Sequence, residues 1–449
     1  MVSLHEIVEP LPLRHFTTWL FDGERYTRPT KATVHIEDGR IADIREQSEQ
    51  SDLEMPDETI TLLGGVSMHE HGRDAFGVFP GMPGDQSYKE DSYTLSLALA
   101  QGGATFGMCM LNFEQIVENK SEYVVQLDWM NTKLTYREKP IMKLDAYIPI
   151  RPGSKPSVGS KNTMFKLFWN TFGGANFPSD EDVRETLRNY ADCYVKAHCE
   201  SIDGIIDVPG YPHHYKRPKE AAINATRLFL ACAQDYNFIP EVAHLGTAEE
   251  LCIIKAFNAF RERRVARYEI TPQSLALDHS TFESATGLKM IWGQQNPPLR
   301  SYADRQELIK EIDDDAIYGP DHAPHKDFEK LKGMSGMPQA STAGQIYLEE
   351  VTLGHDTLRS FVRKRSLNGA QILEDRLGYK MGKLEKGYDA SFTLVTLGRP
   401  SRIRDENVLS KCAWTPYKNW TFSNTIEGVI VNGTLYTQAA LQKLRPKIP

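Results

Sequence analysis

Leu62-Leu63-Gly64-Gly65-Val66-Ser67-Met68-His69-Glu70-His71-Gly72-Arg73-Asp74 runs from an apolar stretch directly into a polar one. Residues 62–68 read as a buried strand. Positions i and i+2 of a strand point to the same side, so His69 and His71 at its end can reach one metal ion. Similar apolar runs recur downstream at 104–111, 143–150, 164–169, 191–199, 238–244, 265–270 and 316–319. Amphipathic stretches such as 181–191, 219–234 and 248–261 separate most of them. Strands alternating with helices over roughly 320 residues predict a (β/α)8 TIM-like barrel, an α/β fold whose chemistry sits at the C-terminal strand ends.

The flanks differ. Short alternating runs at 17–21, 32–36 and 40–44 precede the barrel, and 390–395 and 427–431 follow it. Asp38-Gly39 and Asn432-Gly433 are hairpin signals. These ends predict one small β-sandwich domain built from residues 1–62 plus 383–449, with the barrel over 63–382. The uncharged stretch 93–111 is interrupted by Gly102-Gly103 and reads as a buried helix, a turn and a buried strand, not as a membrane span.

The chain has 449 residues and a formal net charge of −8, with 40% hydrophobic and 25% charged residues. Such a composition suits a soluble globular protein and argues against nucleic acid or an anionic membrane as the main partner. Six cysteines (Cys109, Cys193, Cys199, Cys232, Cys252, Cys412) show no CxxC pattern. Sparse cysteines and an N-terminal stretch without the features of a signal peptide lead to the expectation of a cytoplasmic protein. The sequence leaves homo-oligomerisation open.

Three more polar clusters fall at strand ends: His198-Cys199-Glu200, the run from His244 to Glu250, and Asp321-His322-Ala323-Pro324-His325. One such histidine is ordinarily a core residue; four in the same structural position point to a metal centre. Imidazole and carboxylate donors suit Zn²⁺ or a similar first-row ion. Lys166 is an isolated cation on the apolar run 164–169. It reads either as a lysine reaching the surface or, after carboxylation by CO2, as an anionic metal ligand. His213-His214 reads as a loop after a Pro-Gly turn, and His279 and His322 as structural.

Taken together, His69-x-His71-x-Arg73, Lys166-Leu167-Phe168, His198-Cys199-Glu200, the run from His244 to Glu249, Asn296-Pro297-Pro298-Leu299-Arg300 and Asp321-His322-Ala323-Pro324-His325 resemble the dihydroorotase family of metal-dependent amidohydrolases. The Lys-Leu-Phe form resembles the carboxylated-lysine subgroup. The resemblance implies two Zn²⁺ ions held by His69, His71, His198, His244 and Asp321 and bridged by carboxylated Lys166. It implies substrate contacts from Arg73, Asn112, Asn296, His325 and Gly333, with Arg73, Asn112 and His325 on the free carboxylate. Glu269 is a candidate ligand for an additional metal, as in some members. The implied reaction is the reversible, zinc-dependent cyclisation of N-carbamoyl-L-aspartate to L-dihydroorotate in de novo pyrimidine biosynthesis. In it a metal-bridging hydroxide attacks the ring amide carbonyl and Asp321 shuttles the proton. Ser67, Glu70, Gly72, Gln273 and Pro338 depart from the family pattern. They leave two alternatives: another cyclic amidohydrolase of the hydantoinase, dihydropyrimidinase or allantoinase type, or a catalytically silent assembly partner.

Overall fold

The computed structural model describes residues 4–46, 51–111, 120–156, 162–169, 177–206, 208–259, 261 and 265–446. Eight parallel strands pair in chain order: Gly65–Glu70, Ala104–Met110, Leu144–Ile150, Met164–Leu167, Tyr194–Ala197, Ile239–Val242, Arg267–Ile270 and Ala316–Tyr318. They are called the first to eighth barrel strands below. The cylinder closes where the His71 N–H donates to the His322 carbonyl at 3.0 Å and Glu70 bridges to His322. All eight strands are almost wholly buried, as expected when helices cover a parallel sheet.

The expected run 62–68 divides into two strands. Thr59–Leu63 belongs to the terminal sheet, and Gly65–Glu70 opens the barrel. Gly64 makes the crossing. A Cβ there would lie 2.3 Å from Thr105 Oγ1 and 3.0 Å from the Ser391 carbonyl, so only glycine passes. The stretch 93–111 is the helix Ser92–Gln101, a turn at Gly102-Gly103 and the second barrel strand. Lys219–Tyr236 and Ala248–Asn258 match the expected helices, and the 181–191 segment forms Asp180–Leu187 followed by a 3-10 turn. Among the described residues no helix is long and apolar enough to cross a membrane.

Both ends of the chain contribute to one nine-stranded sheet. Its central strands are Thr425–Val431, Phe392–Thr396, Thr59–Leu63, His15–Phe21 and Thr30–Glu37. Asp38 and Gly39 both adopt positive φ (50° and 74°), as do Asn432 and Gly433 (46° and 79°). These are the two-residue turns whose twist matches that of the strands they join.

The fifth and sixth barrel ladders end short of their histidines. The expected strand 191–199 is paired only over Tyr194–Ala197, and 238–244 only over Ile239–Val242. His244 and Asp321 then leave the ladder in the left-handed region, with φ of 38° and 47°. His and Asp tolerate that conformation better than most residues. It turns the chain sharply at the barrel mouth.

Candidate metal centre

Four strand ends bring their polar side chains together. His69 Nε2 lies 3.3 Å, and His71 Nε2 3.2 Å, from the same oxygen, Asp321 Oδ1. His69 is also within ring-contact distance of His244 (5.4 Å between centroids), and His244 of His198 (4.7 Å). Residues separated by up to 252 positions therefore share one cavity of ≈ 270 Å³. Lys166, Asn296, His325, Gly333 and Arg73 line the same cavity. Asn112 lies outside the described residues.

The nitrogens are presented as metal ligands require. His69 Nδ1 donates to Glu269 Oε2 at 2.6 Å, which leaves the lone pair on Nε2 facing Asp321. His198 Nε2 donates to Glu200 Oε2 at 2.7 Å, so its Nδ1 lone pair faces His244 Nε2 at 2.9 Å. Burial lowers the pKa of His69, His198 and His244, which favours the neutral imidazole. Burial alone would raise the Asp321 carboxyl, but His69 and His71 beside it hold it below its ordinary value. Glu200 stays ionised against its own burial because Arg217 holds it at 2.7 Å and His198 donates to it. Orienting carboxylates of this kind set ring tautomer and ligand basicity.

Glu269, a candidate ligand for an additional metal by the resemblance, orients two of the histidines. Its Oε2 accepts from His69 and from the His244 N–H (3.0 Å), and its Oε1 accepts from Lys196 Nζ at 2.7 Å. Gly319 makes room for it, since a Cβ there would lie 2.0 Å from Glu269 Oε1.

Two lysines sit on apolar strands, side by side in register: Lys166 on the fourth and Lys196 on the fifth. The sequence shows the same signal for both, and the structure separates them. Lys196 is wholly buried between Glu241 (2.9 Å) and Glu269 (2.7 Å). Lys166 Nζ is buried with no hydrogen-bond partner among the described residues, and burial and the Lys196 charge lower its pKa to about 8. We expect Lys196→Met to destabilise the protein by about 3–5 kcal/mol, because it strands two buried carboxylates. Urea unfolding checks this, and an unchanged midpoint would contradict the pairing.

The donor set fits a divalent metal centre. His69, His71 and Asp321 form one three-ligand group with ligand atoms within 4.8 Å of one another, and His198 Nδ1 faces His244 Nε2 beside it. The orphaned Lys166 Nζ lines the cavity they share.

Beside this centre lies a cationic corner. Arg73 is buried, and its Nε has no hydrogen-bond partner among the described residues. His325 and Lys89 adjoin it, with Glu329 as the carboxylate partner of Lys89 at 2.8 Å. Nothing in the polar stretch Ser87-Tyr88-Lys89-Glu90-Asp91 marks Lys89 as special from sequence. His213, expected to be an ordinary loop residue, sits in the short helix His213–Lys216. Its Nε2 donates to Asn296 Oδ1 (2.8 Å) and the Gln295 carbonyl (2.9 Å), so it holds a wall of the cavity. His322 is structural: Nε2 contacts Glu90 at 2.9 Å, and Nδ1 accepts from the Gln339 and Ala340 N–H groups.

The departures from the family pattern also have places. Ser67 hydroxyl donates to buried Glu70, whose carboxyl burial pushes well above its ordinary value. Gln273 is buried and accepts from the Gln339 side-chain amide. The structure gives no account of Pro338.

No protein-family model matches the chain. It is 27% identical over 414 residues to a dihydroorotase of Pyrococcus furiosus, covering 90% of this chain and 89% of that one. It is 28% identical over 433 residues to a dihydroorotase of Methanothermobacter thermautotrophicus, covering 91% of each. Among solved structures, an L-hydantoinase (dihydropyrimidinase) from Arthrobacter aurescens superposes with a TM-score of 0.78 at 17% identity, covering 94% of this chain and 95% of that chain. A D-hydantoinase superposes at 0.77 and 18% identity, covering 95% and 96%. In sequence, then, this chain is a relative of dihydroorotases over nine-tenths of its length, and in fold it is a barrel of the hydantoinase type.

Proposed function

We propose that this protein is a metal-dependent cyclic amidohydrolase that interconverts N-carbamoyl-L-aspartate and L-dihydroorotate. The observation that carries the reading is one cavity in which four histidines, Asp321 and an unpartnered lysine adjoin a buried cationic corner. We assign His69, His71 and Asp321 to one metal ion, His198 and His244 to a second, and Lys166 as its carbamate to the bridge. The lowered pKa of Lys166 favours this modification. Its neutral amine adds to the carbon of CO2, and one proton is released as the carbamate forms. When bound, the divalent ions lower the pKa of the attacking water and polarise the ring carbonyl. Asp321 takes the proton from that water and delivers it to the leaving ring nitrogen, acting first as base and then as acid. In the biosynthetic direction the same carboxyl returns the proton.

Substrate choice rests on the corner rather than on the fold, which hydantoinases share. A guanidinium fork matches a planar carboxylate in a bidentate manner. Arg73 and His325 would grip the carboxylate that L-dihydroorotate carries and dihydrouracil lacks. Asn296 and the backbone at Gly333 flank the ring position. A silent homologue is disfavoured because every proposed ligand is present and the histidines are pre-oriented by Glu269 and Glu200.

The test is an absorbance assay with L-dihydroorotate before and after chelation and Zn²⁺ restoration, with metal counted on the same sample. Activity should vanish on chelation and return with about two ions per chain. Dihydrouracil should be poorer by roughly 10²-fold in kcat/KM, the scale of charge-assisted hydrogen bonds in a desolvated corner. Equal turnover of dihydrouracil would move the assignment to a dihydropyrimidinase. Arg73→Met should remove most of the preference.

A further inference from the structure

The buried ammonium of Lys89 decides how His325 is protonated. Lys89 lies just before the helix Ser92–Gln101 and is 3% exposed. Its Nζ is 2.8 Å from Glu329 Oε1 and 3.3 Å from His325 Nδ1. Glu329 is itself anchored: Tyr88 hydroxyl donates to Oε1 at 2.7 Å, and the Lys326 N–H donates to Oε2 at 2.8 Å. An ammonium has three donors and no acceptor. Across the Lys89–His325 contact, Nδ1 must therefore be the acceptor. A neutral imidazole that accepts at Nδ1 carries its proton on Nε2. Burial first, then the charges of Arg73 and Lys89, push the His325 pKa down to about 3, so the ring is neutral at physiological pH. Its Nε2 makes no hydrogen bond among the described residues, and the ring lines the cavity.

We propose that Lys89 is a positioning residue: it locks His325 in the Nε2–H tautomer, so that the ring meets the substrate carboxylate as a hydrogen-bond donor. The competing tautomer is close at hand. Glu329 Oε2 lies 3.6 Å from Nδ1, and without Lys89 it would attract a proton there. Nε2 would then present a lone pair to the carboxylate, turning an attractive contact into a repulsive one. Lys89 also adds a second cation beside Arg73 in the corner that faces the cavity. The tautomer follows from the contacts alone, whereas its use on a carboxylate rests on the function proposed above.

Nitrogen-15 NMR of histidine-labelled protein, with the His325 signals assigned by their loss in His325→Asn, reads the tautomer directly. The expected wild-type result is a pyridine-type Nδ1 and a pyrrole-type Nε2. A protonated Nδ1 in the wild type overturns the inference, with or without a folded variant. In Lys89→Met the two signals should move toward each other or exchange character. In the same variant KM for L-dihydroorotate should rise roughly tenfold or more, while kcat changes less than about threefold. An unchanged KM in an active variant also overturns it. If the wild type does not turn over L-dihydroorotate at all, the proposed function fails, and the tautomer measurement still decides the role of Lys89.

Discussion

Asp321→Asn should lower kcat for L-dihydroorotate by about 10³-fold, within the 10²–10⁴ range that a positioned acid–base group supplies. The amide keeps the shape of the carboxyl but has no basic oxygen able to carry a proton between water and ring nitrogen. It also weakens one metal ligand, because Asp321 Oδ1 is the point on which His69 and His71 converge. The two contributions separate experimentally. Metal content measured on the same sample reports the ligand role, and the rate per bound metal reports the proton-transfer role. Unfolding by urea should be little changed, since among the described residues the Asp321 side chain hydrogen-bonds only with His71 Nε2. Near-wild-type kcat in a metal-loaded Asp321→Asn protein would remove Asp321 as the proton carrier.

Lys166→Met should have an effect of similar size on activity and should not destabilise the fold. Without the amine no carbamate forms, so the bound metal should fall from two ions per chain to one or fewer. We expect kcat to drop by about 10³-fold or more with it, because the attacking water loses its activation. The metal-free protein should not be weakened. Lys166 Nζ makes no hydrogen bond among the described residues, and an unpaired buried ammonium costs free energy that a thioether of similar length does not. Chemical denaturation of the metal-free proteins should show Lys166→Met as stable as the wild type, or more stable. Two metal ions per chain in this variant would refute the bridging role. Lys196→Met supplies the contrast, since that lysine carries two carboxylate partners and its loss should destabilise.

The pair Lys166 and Lys196 illustrates how far sequence reading reaches. Both are lone cations on apolar strands, each the third residue of four, and nothing local distinguishes them. The carboxylate partners of Lys196 come from strands 45 and 73 positions further along the chain. Glu269 shows the same limit. The resemblance alone makes it a candidate metal ligand, and only the packing reveals that its oxygens accept from His69, His244 and Lys196. Lys89 carries no local signal and His213 reads as a loop residue, because each acts through a residue of another segment, His325 and Asn296.

What the sequence determined by itself was the barrel, its strand order and the strand ends that carry the candidate metal donors. Hydrophobic periodicity and turn chemistry are local, and parallel strands joined by helices have few ways to close. Tertiary structure alone decided which donors share a ligand atom, which lysine is left unpaired, and which ring nitrogen carries a proton. Those outcomes depend on hydrogen-bond geometry at 2.6–3.3 Å between residues separated by as many as 252 positions, and no pattern along the chain encodes a distance across the barrel mouth.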